Sequence, residues 1–151
     1  MLTLKRTNST DKDFHFLIVK LDKYLFEQYG KLQEFYGQYN SVENIPTVLI
    51  AYVSQQPAGC GCFKKFDESS VEVKRMFVAN EHRGKGIGAA ILTELEKWAA
   101  ELGQKATILE LGNNQPEAIR LYTKQGYTVI PNYGQYIGME ATSICLKKEL
   151  T

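Results

Sequence analysis

The sequence predicts an α/β fold, in which helices flank a mixed β-sheet that opens with an antiparallel meander and contains one parallel strand pair. Three strand-like segments, at residues 47–53, 58–66 and 71–78, are joined by short polar links. Links of this length favour antiparallel neighbours. A long helical segment then leads from the third strand to another strand at 106–111. Such a crossover favours a parallel pair.

The N-terminal part of the chain predicts one strand followed by helix. Residues 2–5 form a short strand-like segment. Apolar side chains then recur at helical spacing from Phe14 to Tyr29, after a polar cap region at 9–11. Gly30 interrupts this pattern, and a second, shorter helical piece is expected at 32–39.

The second half of the chain alternates helices and strands. One helix is predicted to begin near Gly86 and to end at Gly103, since glycine commonly closes a helix. Another begins at Pro116, a residue suited to the first helical position, and ends at Gly126. The remaining strands are predicted at 106–111, 127–130 and 143–147.

Composition indicates a single soluble domain over residues 1–151. Hydrophobic residues make up 44% and charged residues 23%, as in an ordinary globular protein. Eighteen basic and seventeen acidic residues leave a formal charge of +1. This balance offers no electrostatic case for nucleic acid or an acidic membrane as partner. No apolar run approaches the length of a membrane span.

The cysteines and the N-terminus favour a cytoplasmic location. Cys60, Cys62 and Cys145 are odd in number and do not form a disulfide framework, which suits a reducing compartment. The first ten residues lack the apolar segment of a signal peptide. Because Cys60 and Cys62 have no second close pair, and no carboxylate–histidine cluster is evident, we expect no metal.

A glycine-rich stretch separates the strand at 71–78 from the helix that follows it. It reads Arg83-Gly84-Lys85-Gly86-Ile87-Gly88. Glycine lets the backbone turn sharply and lets a ligand approach the main chain. The first amides of a helix lack intrahelical partners and bind anions well. The stretch therefore predicts a site for a phosphate or pyrophosphate group.

Two familiar phosphate loops fit this stretch poorly. The P-loop string is absent from the chain. The string Gly84 to Ala89 matches the dinucleotide fingerprint, and Glu110 lies at about the right distance to imitate its ribose-binding acid. In a Rossmann turn, however, the first glycine follows the strand almost at once, whereas here residues 79–83 intervene. Three antiparallel strands also precede the motif, and too little chain follows it.

The pattern R-x-x-G-x-G, together with the preceding strand, resembles the coenzyme A motif of the GNAT N-acyltransferase superfamily. The stretch 112–127, GNNQPEAIRLYTKQGY, resembles the second signature of that family. Ala118, Tyr122, Gly126 and Tyr127 match it, and Gln115 stands where asparagine is commoner. Weaker likeness to small bacterial members of mostly unassigned substrate extends over nearly the whole chain.

The resemblance implies transfer of an acetyl group from acetyl-CoA (coenzyme A), as cosubstrate, to a primary amine by direct attack in a ternary complex. It also implies that the pantetheine arm pairs with the strand ending at Val78 and that the diphosphate binds the glycine turn. The residues expected at the cofactor, some from this resemblance and some from their charge beside the glycine turn, are Met76, Phe77, Val78, Arg83, Gly84, Lys85, Gly86, Ile87, Gly88, Asn114, Gln115, Ala118, Tyr122 and Lys124.

Three residues are candidates for proton transfer. The resemblance implies that Tyr122 protonates the departing thiolate; the alternative is that Tyr122 only packs in the core. Glu72 is a candidate base, or else a solvated strand carboxylate paired with Lys74. Alternation puts Glu72, Lys74 and Met76 on one strand face. Glu110 is the second candidate base, or it binds a cationic acceptor.

The acceptor side is the least determined part of the sequence. Tyr29, Tyr133 and Tyr136 are candidates for binding a small-molecule or amino-acid-like amine, with Tyr24, Tyr36 and Tyr39 in the same helical region as Tyr29. These tyrosines can equally serve packing or a homodimer surface. Two other functions stay open: a protein N-terminal or lysine acetyltransferase, and a non-catalytic acyl-CoA-binding or sensing domain.

Overall fold

The computed structural model describes residues 1–30 and 44–151, apart from the Tyr29 side chain, and confirms the predicted mixed sheet flanked by helices. In the described part of the chain, the strands lie in the order β1-β2-β3-β4-β5-β7-β6. Their bounds are β1 (Leu2–Thr7), β2 (Val48–Val53), β3 (Gln56–Lys65), β4 (Ser70–Val78), β5 (Ala106–Gly112), β6 (Thr128–Ile130) and β7 (Ser143–Glu149).

The helices within the described residues are α1 (Lys12–Tyr29), α2 (Ile87–Glu101) and α3 (Pro116–Lys124). None of these three has the length and apolar character needed to cross a membrane. The helical piece expected at 32–39 lies outside the described residues, as do Tyr36 and Tyr39.

Local sequence signals set the ends of helix α1. The carboxylate of Asp11 accepts a hydrogen bond from the Asp13 amide at 2.8 Å, as a side-chain cap should. Gly30 has a φ of +56° and its amide donates to the Phe26 carbonyl, so the chain leaves the helix there.

Strand β3 begins two residues earlier than predicted. Ser54 and Gln55 both have positive φ, at +49° and +67°. This is the geometry of a two-residue hairpin turn, whose twist matches that of the flanking strands. The turn is therefore shorter than the polar link suggested, and β3 starts at Gln56.

The predicted parallel pair is confirmed. Strand β4 pairs with β5 in parallel register over Ser70–Glu72, with Glu72 opposite Ile108. Strand β7 pairs with β5 antiparallel along its whole length, and Glu110 lies opposite Cys145. Because paired residues share a sheet face, Glu72, Glu110 and Cys145 all project from the same face.

The described chain divides into two compact units. The first comprises Met1–Lys64 and Lys74–Leu95, and the second comprises Lys65–Val73 and Glu96–Thr151. In the first unit, one face of helix α1 packs on strands β2 and β3. The buried residues of this core include Phe14, Leu17, Leu21, Val48, Ile50, Cys60, Cys62 and Phe77.

Alternating glycine and cysteine on β3 shape the first unit. A Cβ at Gly59 would lie 2.8 Å from the Phe77 carbonyl oxygen, and one at Gly61 would collide with the Met76 sulfur. Helix α2 is also close, since a Cβ at either glycine would lie 3.1 Å from a side-chain atom of Ile91. Glycine is therefore required here by close packing.

Strand β4 departs from regular geometry at Arg75. Its φ is +58°, a left-handed conformation that is unusual for a residue with a Cβ. The strict alternation expected for Glu72, Lys74 and Met76 is interrupted at this point. Beyond it, Met76 faces Gly61 and helix α2, whereas Phe77 joins the core under helix α1.

Candidate active site

The glycine turn has the conformation that its sequence predicted. Gly84 and Gly86 have φ values of +79° and +77°, and a Cβ at either position would meet no atom within 4 Å. Their backbone is therefore open toward solvent. Helix α2 begins directly afterwards at Ile87 and has no acidic residue in its first turn. The first amides of a helix lack intrahelical partners, and in helix α2 no acidic side chain of the first turn competes with an anion for them.

Arg83 lies beside this turn but reaches back toward the first helix. Its Nε donates to the Val78 carbonyl at 3.0 Å. Its guanidinium carbon lies 4.9 Å from the centre of the Tyr24 ring, which is a cation–π contact. The side chain is exposed. Arg83 thereby brings positive charge to the end of β4 and anchors that end to helix α1.

The cofactor-binding residues predicted at the second signature surround helix α3. Gln115 precedes the helix without a side-chain cap, and Pro116 occupies its first turn. Asn114 is exposed in the preceding turn, Ala118 is half-buried, and Lys124 is exposed in the last turn of the helix. These residues lie in the second unit, whereas the glycine turn lies in the first.

Tyr122, the candidate acid, is almost completely buried. Its side chain is 6% exposed, and its ring packs edge-on against Tyr127 at 5.6 Å between centroids. Burial raises the pKa of Tyr122, because a phenolate loses more hydration than a phenol. Among the described residues we find no hydrogen-bond partner for its hydroxyl group. The phenol is therefore protonated at neutral pH, and its raised pKa makes it a weaker acid than an exposed phenol.

Glu72, the first candidate base, is held by a tyrosine that lies 61 residues away. The Tyr133 hydroxyl donates to the Glu72 Oε2 atom at 2.7 Å. The Tyr133 ring packs edge-on against the rings of both Phe66 and Tyr136. The carboxylate is half-buried, so it is oriented without being sealed from the surroundings.

Glu110, the second candidate base, contributes to the same environment. Burial and the carboxylates of Glu110 and Glu72 raise the pKa of Tyr136, which is 1% exposed. Burial together with the nearby Glu72 carboxylate raises the pKa of Tyr133. Burial raises the pKa of Cys145 to about 11, and both glutamates add to that increase. The negative charge of the glutamates thus raises the pKa values of all three groups, Tyr133, Tyr136 and Cys145.

The candidate acid and the candidate bases belong to opposite faces of the sheet. Tyr127, against which Tyr122 packs, is hydrogen-bonded to Thr107 on β5. Thr107 and Glu110 lie three residues apart on β5, so their side chains leave from opposite faces.

A polar network beneath Tyr122 was missed by sequence reasoning. The Tyr127 hydroxyl lies 2.6 Å from Thr107 Oγ1 and donates to Glu96 at 2.9 Å. Lys148 forms an ion pair with Glu96 at 2.8 Å. A glutamate on the buried side of helix α2 was the available signal, because a carboxylate is rarely buried without partners.

Three expected substrate-side residues have different outcomes. Tyr133 and Tyr136 lie together in the second unit, near the carboxylates of Glu72 and Glu110. Tyr29 ends helix α1, but its side chain lies outside the described residues. Binding of an amine by any of the three stays a prediction.

Comparison with known proteins identifies the class. The sequence model of the Acetyltransferase (GNAT) family matches residues 13–127. An IAA acetyltransferase of Azospirillum brasilense is 34% identical over 142 residues, which cover 89% of this chain and 88% of the relative. The chain therefore belongs to the GNAT acetyltransferase family, and it is an acyl-CoA-dependent N-acyltransferase.

Solved structures share the same fold. A candidate acyl-CoA N-acyltransferase from Klebsiella pneumoniae subsp. pneumoniae MGH 78578 superposes with a TM-score of 0.84. It is 28% identical and covers 100% of this chain and 99% of its own. A GNAT family acetyltransferase from Elizabethkingia anophelis, solved with acetyl-CoA bound, has a TM-score of 0.69 at 19% identity, covering 99% and 98%. The latter likeness concerns the fold alone.

Proposed function

We propose that this enzyme transfers an acetyl group from acetyl-CoA to the primary amine of a small-molecule or amino-acid-like acceptor. The open glycine turn carries this proposal, because left-handed Gly84 and Gly86 precede a helix whose first turn lacks acidic side chains. That surface suits the diphosphate of coenzyme A. Arg83 and Lys85 add positive charge beside it.

The thioester arm of the cofactor is proposed to follow the end of strand β4. Backbone groups of Met76 and Val78 would bind it as an added strand, with Phe77 buried beneath them. A backbone amide of this stretch would donate to the thioester oxygen. Loss of one such donor costs about 3–4 kcal/mol in other acyl-transfer enzymes. Asn114, Gln115, Ala118 and Lys124 are proposed to contact the cofactor from helix α3 and its preceding turn.

The acceptor amine must lose a proton for the reaction to proceed. A free alkylamine is mostly protonated at neutral pH, so a carboxylate must take the proton directly or through water. Glu72 is the favoured base, because the Tyr133 hydroxyl orients its carboxylate at 2.7 Å. Glu110 lies on the same face and either shares this role or binds the acceptor cation.

The chemical step is a direct attack. The amine lone pair forms a bond with the thioester carbon, and the carbon–sulfur bond then breaks. The thiolate leaves with the electron pair and takes the proton of the Tyr122 hydroxyl. Burial raises the pKa of Tyr122, so the phenol is protonated before the thiolate forms but is a weaker acid than a free phenol. The transfer therefore requires that the same buried setting makes the thiolate more basic as well.

The acceptor is proposed to bind beside Tyr133 and Tyr136. The glutamates next to these neutral phenols create a region of negative potential, which attracts an ammonium group before its deprotonation. Aromatic rings also pack well on the apolar part of a small amine. A protein N-terminus or lysine side chain is the alternative acceptor.

The experiment is a panel of primary amines assayed by the release of free CoA thiol from acetyl-CoA. We expect release that depends on one class of small amine and that is absent without enzyme. In the same assay, Tyr122→Phe should lower kcat while the affinity for acetyl-CoA stays near that of the wild type. The proposed reaction would be refuted if the enzyme bound acetyl-CoA but released no CoA thiol from it in the presence of any small amine or peptide.

A further inference from the structure

Tyr127 is the centre of a directed chain of hydrogen bonds. The Glu96 carboxylate, paired with the Lys148 ammonium at 2.8 Å, can only accept. The Tyr127 hydroxyl therefore donates its proton to Glu96 at 2.9 Å. Its oxygen must then accept from Thr107 Oγ1 at 2.6 Å. The phenol has no remaining freedom to rotate its hydroxyl group.

The side chains of the network around Tyr127 come from three different elements. Thr107 lies on β5, Glu96 on α2 and Lys148 on β7. Thr107 is fully buried and Tyr127 is 2% exposed, so water does not compete with these bonds. A hydroxyl group that is bonded to two elements, with one of its partners fixed in turn by a third, holds its ring closely in a buried setting.

The fixed ring bears on Tyr122 in two ways. The two rings meet edge-on, with centroids 5.6 Å apart and planes at 74°. The Tyr127 amide also donates to the Tyr122 carbonyl at 3.0 Å, which holds the end of helix α3. Both the backbone and the ring of Tyr122 thus have Tyr127 as a direct neighbour.

We propose that Tyr127 is a positioning residue for acetyl transfer, and that its hydroxyl network aligns the Tyr122 phenol with the departing sulfur. The inference rests on the acid role proposed for Tyr122. Misplacement of a reacting group by a fraction of an ångström slows catalysis, while cofactor binding, which uses other contacts, is preserved. Glu96, Thr107 and Lys148 act through Tyr127.

The test is a double-mutant cycle between Tyr127→Phe and Tyr122→Phe. Tyr127→Phe keeps the ring and removes the hydroxyl group. We expect it to lower kcat about tenfold and to change the KM for acetyl-CoA by less than about twofold. In the Tyr122→Phe background the same substitution should have almost no effect on kcat, because the acid that it positions is already absent.

Two further variants keep the test decisive. Thr107→Val cuts the network at its donor without altering either tyrosine, and it should reproduce the loss if Tyr127→Phe folds poorly. Tyr52→Phe is the matched control, since the Tyr52 hydroxyl also donates to a carboxylate, that of Asp13 at 2.6 Å. We expect this control to leave kcat unchanged, as Tyr52 belongs to the first unit and not to the network.

Three results would overturn the inference. One is a wild-type kcat for both Tyr127→Phe and Thr107→Val. Another is an equal loss from Tyr127→Phe in both backgrounds, which would indicate a general structural role. Either can occur while Tyr122→Phe alone is impaired, so the proposed acid survives. In the third, Tyr122→Phe alone keeps the wild-type kcat, and the acid assignment and the inference fail together.

Discussion

Substitution of Gly86 by valine tests the phosphate-binding turn most directly. Gly86 has a φ of +77°, and a Cβ there would meet no protein atom within 4 Å. The substitution therefore causes no clash inside the protein. It costs the left-handed backbone strain of an L-residue, about 1–2 kcal/mol. For a domain of this size, that corresponds to a decrease in Tm of roughly 2–8 °C.

The expected effect on cofactor binding is larger than the effect on stability. Valine would fill the open space over the first amides of helix α2 and would exclude the diphosphate from them. Loss of two hydrogen bonds to a charged group costs about 3 kcal/mol or more. The Kd for acetyl-CoA should therefore increase by about a hundredfold or more.

Gly103→Val is the matched control for this experiment. Gly103 follows the other end of helix α2, has a φ of +85° and is equally open within 4 Å. Both variants should lose similar stability in thermal unfolding. In titration calorimetry, only Gly86→Val should lose affinity for acetyl-CoA. If Gly86→Val binds acetyl-CoA like the wild type, or if both variants weaken equally, the turn does not hold the diphosphate.

Three further predictions concern charge and protonation. If Glu72 or Glu110 is the base, its replacement by glutamine should remove the acidic limb of the pH–rate profile. If Glu72→Gln and Glu110→Gln both keep the wild-type profile, neither residue is the base. Glu96→Ala should lower the free energy of unfolding by about 2–3 kcal/mol, because it removes a buried carboxylate from its pair. Glu94→Ala should cost under about 1 kcal/mol, because that side chain is 26% exposed and its pair with Arg6 is near the surface. Equal costs in denaturant melts would contradict this. Folding raises the pKa of Cys145 to about 11 from an ordinary value near 9, so the unfolded thiol ionises first and stability should fall between these pH values. Cys145→Ala should reduce that fall in the denaturation midpoint, and an identical fall would refute the assignment.

Short-range signals were read correctly because the physics behind them is local. Pro116 begins helix α3 and Gly103 follows helix α2, as backbone preferences at helix ends require. The glycine turn adopts positive φ at Gly84 and Gly86, which only the absence of a Cβ makes easy. The two-residue turn at 54–55 was not predicted, because serine and glutamine rarely adopt a positive φ and so give no signal of such a turn.

The candidate site depends on contacts that no local pattern contains. Tyr133 meets Glu72 across 61 residues, and Lys148 meets Glu96 across 52. Each of these contacts depends on the register in which the strands pair, and that register is determined by the whole sheet. The left-handed Arg75 within β4 is likewise a tertiary result, since its own side chain disfavours that conformation.

The order of the described strands and helices, the parallel crossover and the sharp glycine turn were predictable from the chain, because periodicity, glycine spacing and connection length act over a few residues. Folding in three dimensions decided which side chains face each other. It directed Glu72 and Glu110 to one face of the sheet and linked Tyr127, the neighbour of Tyr122, to Thr107 on the other. Such pairings are set by packing between distant segments, whose free energies sum over the whole core.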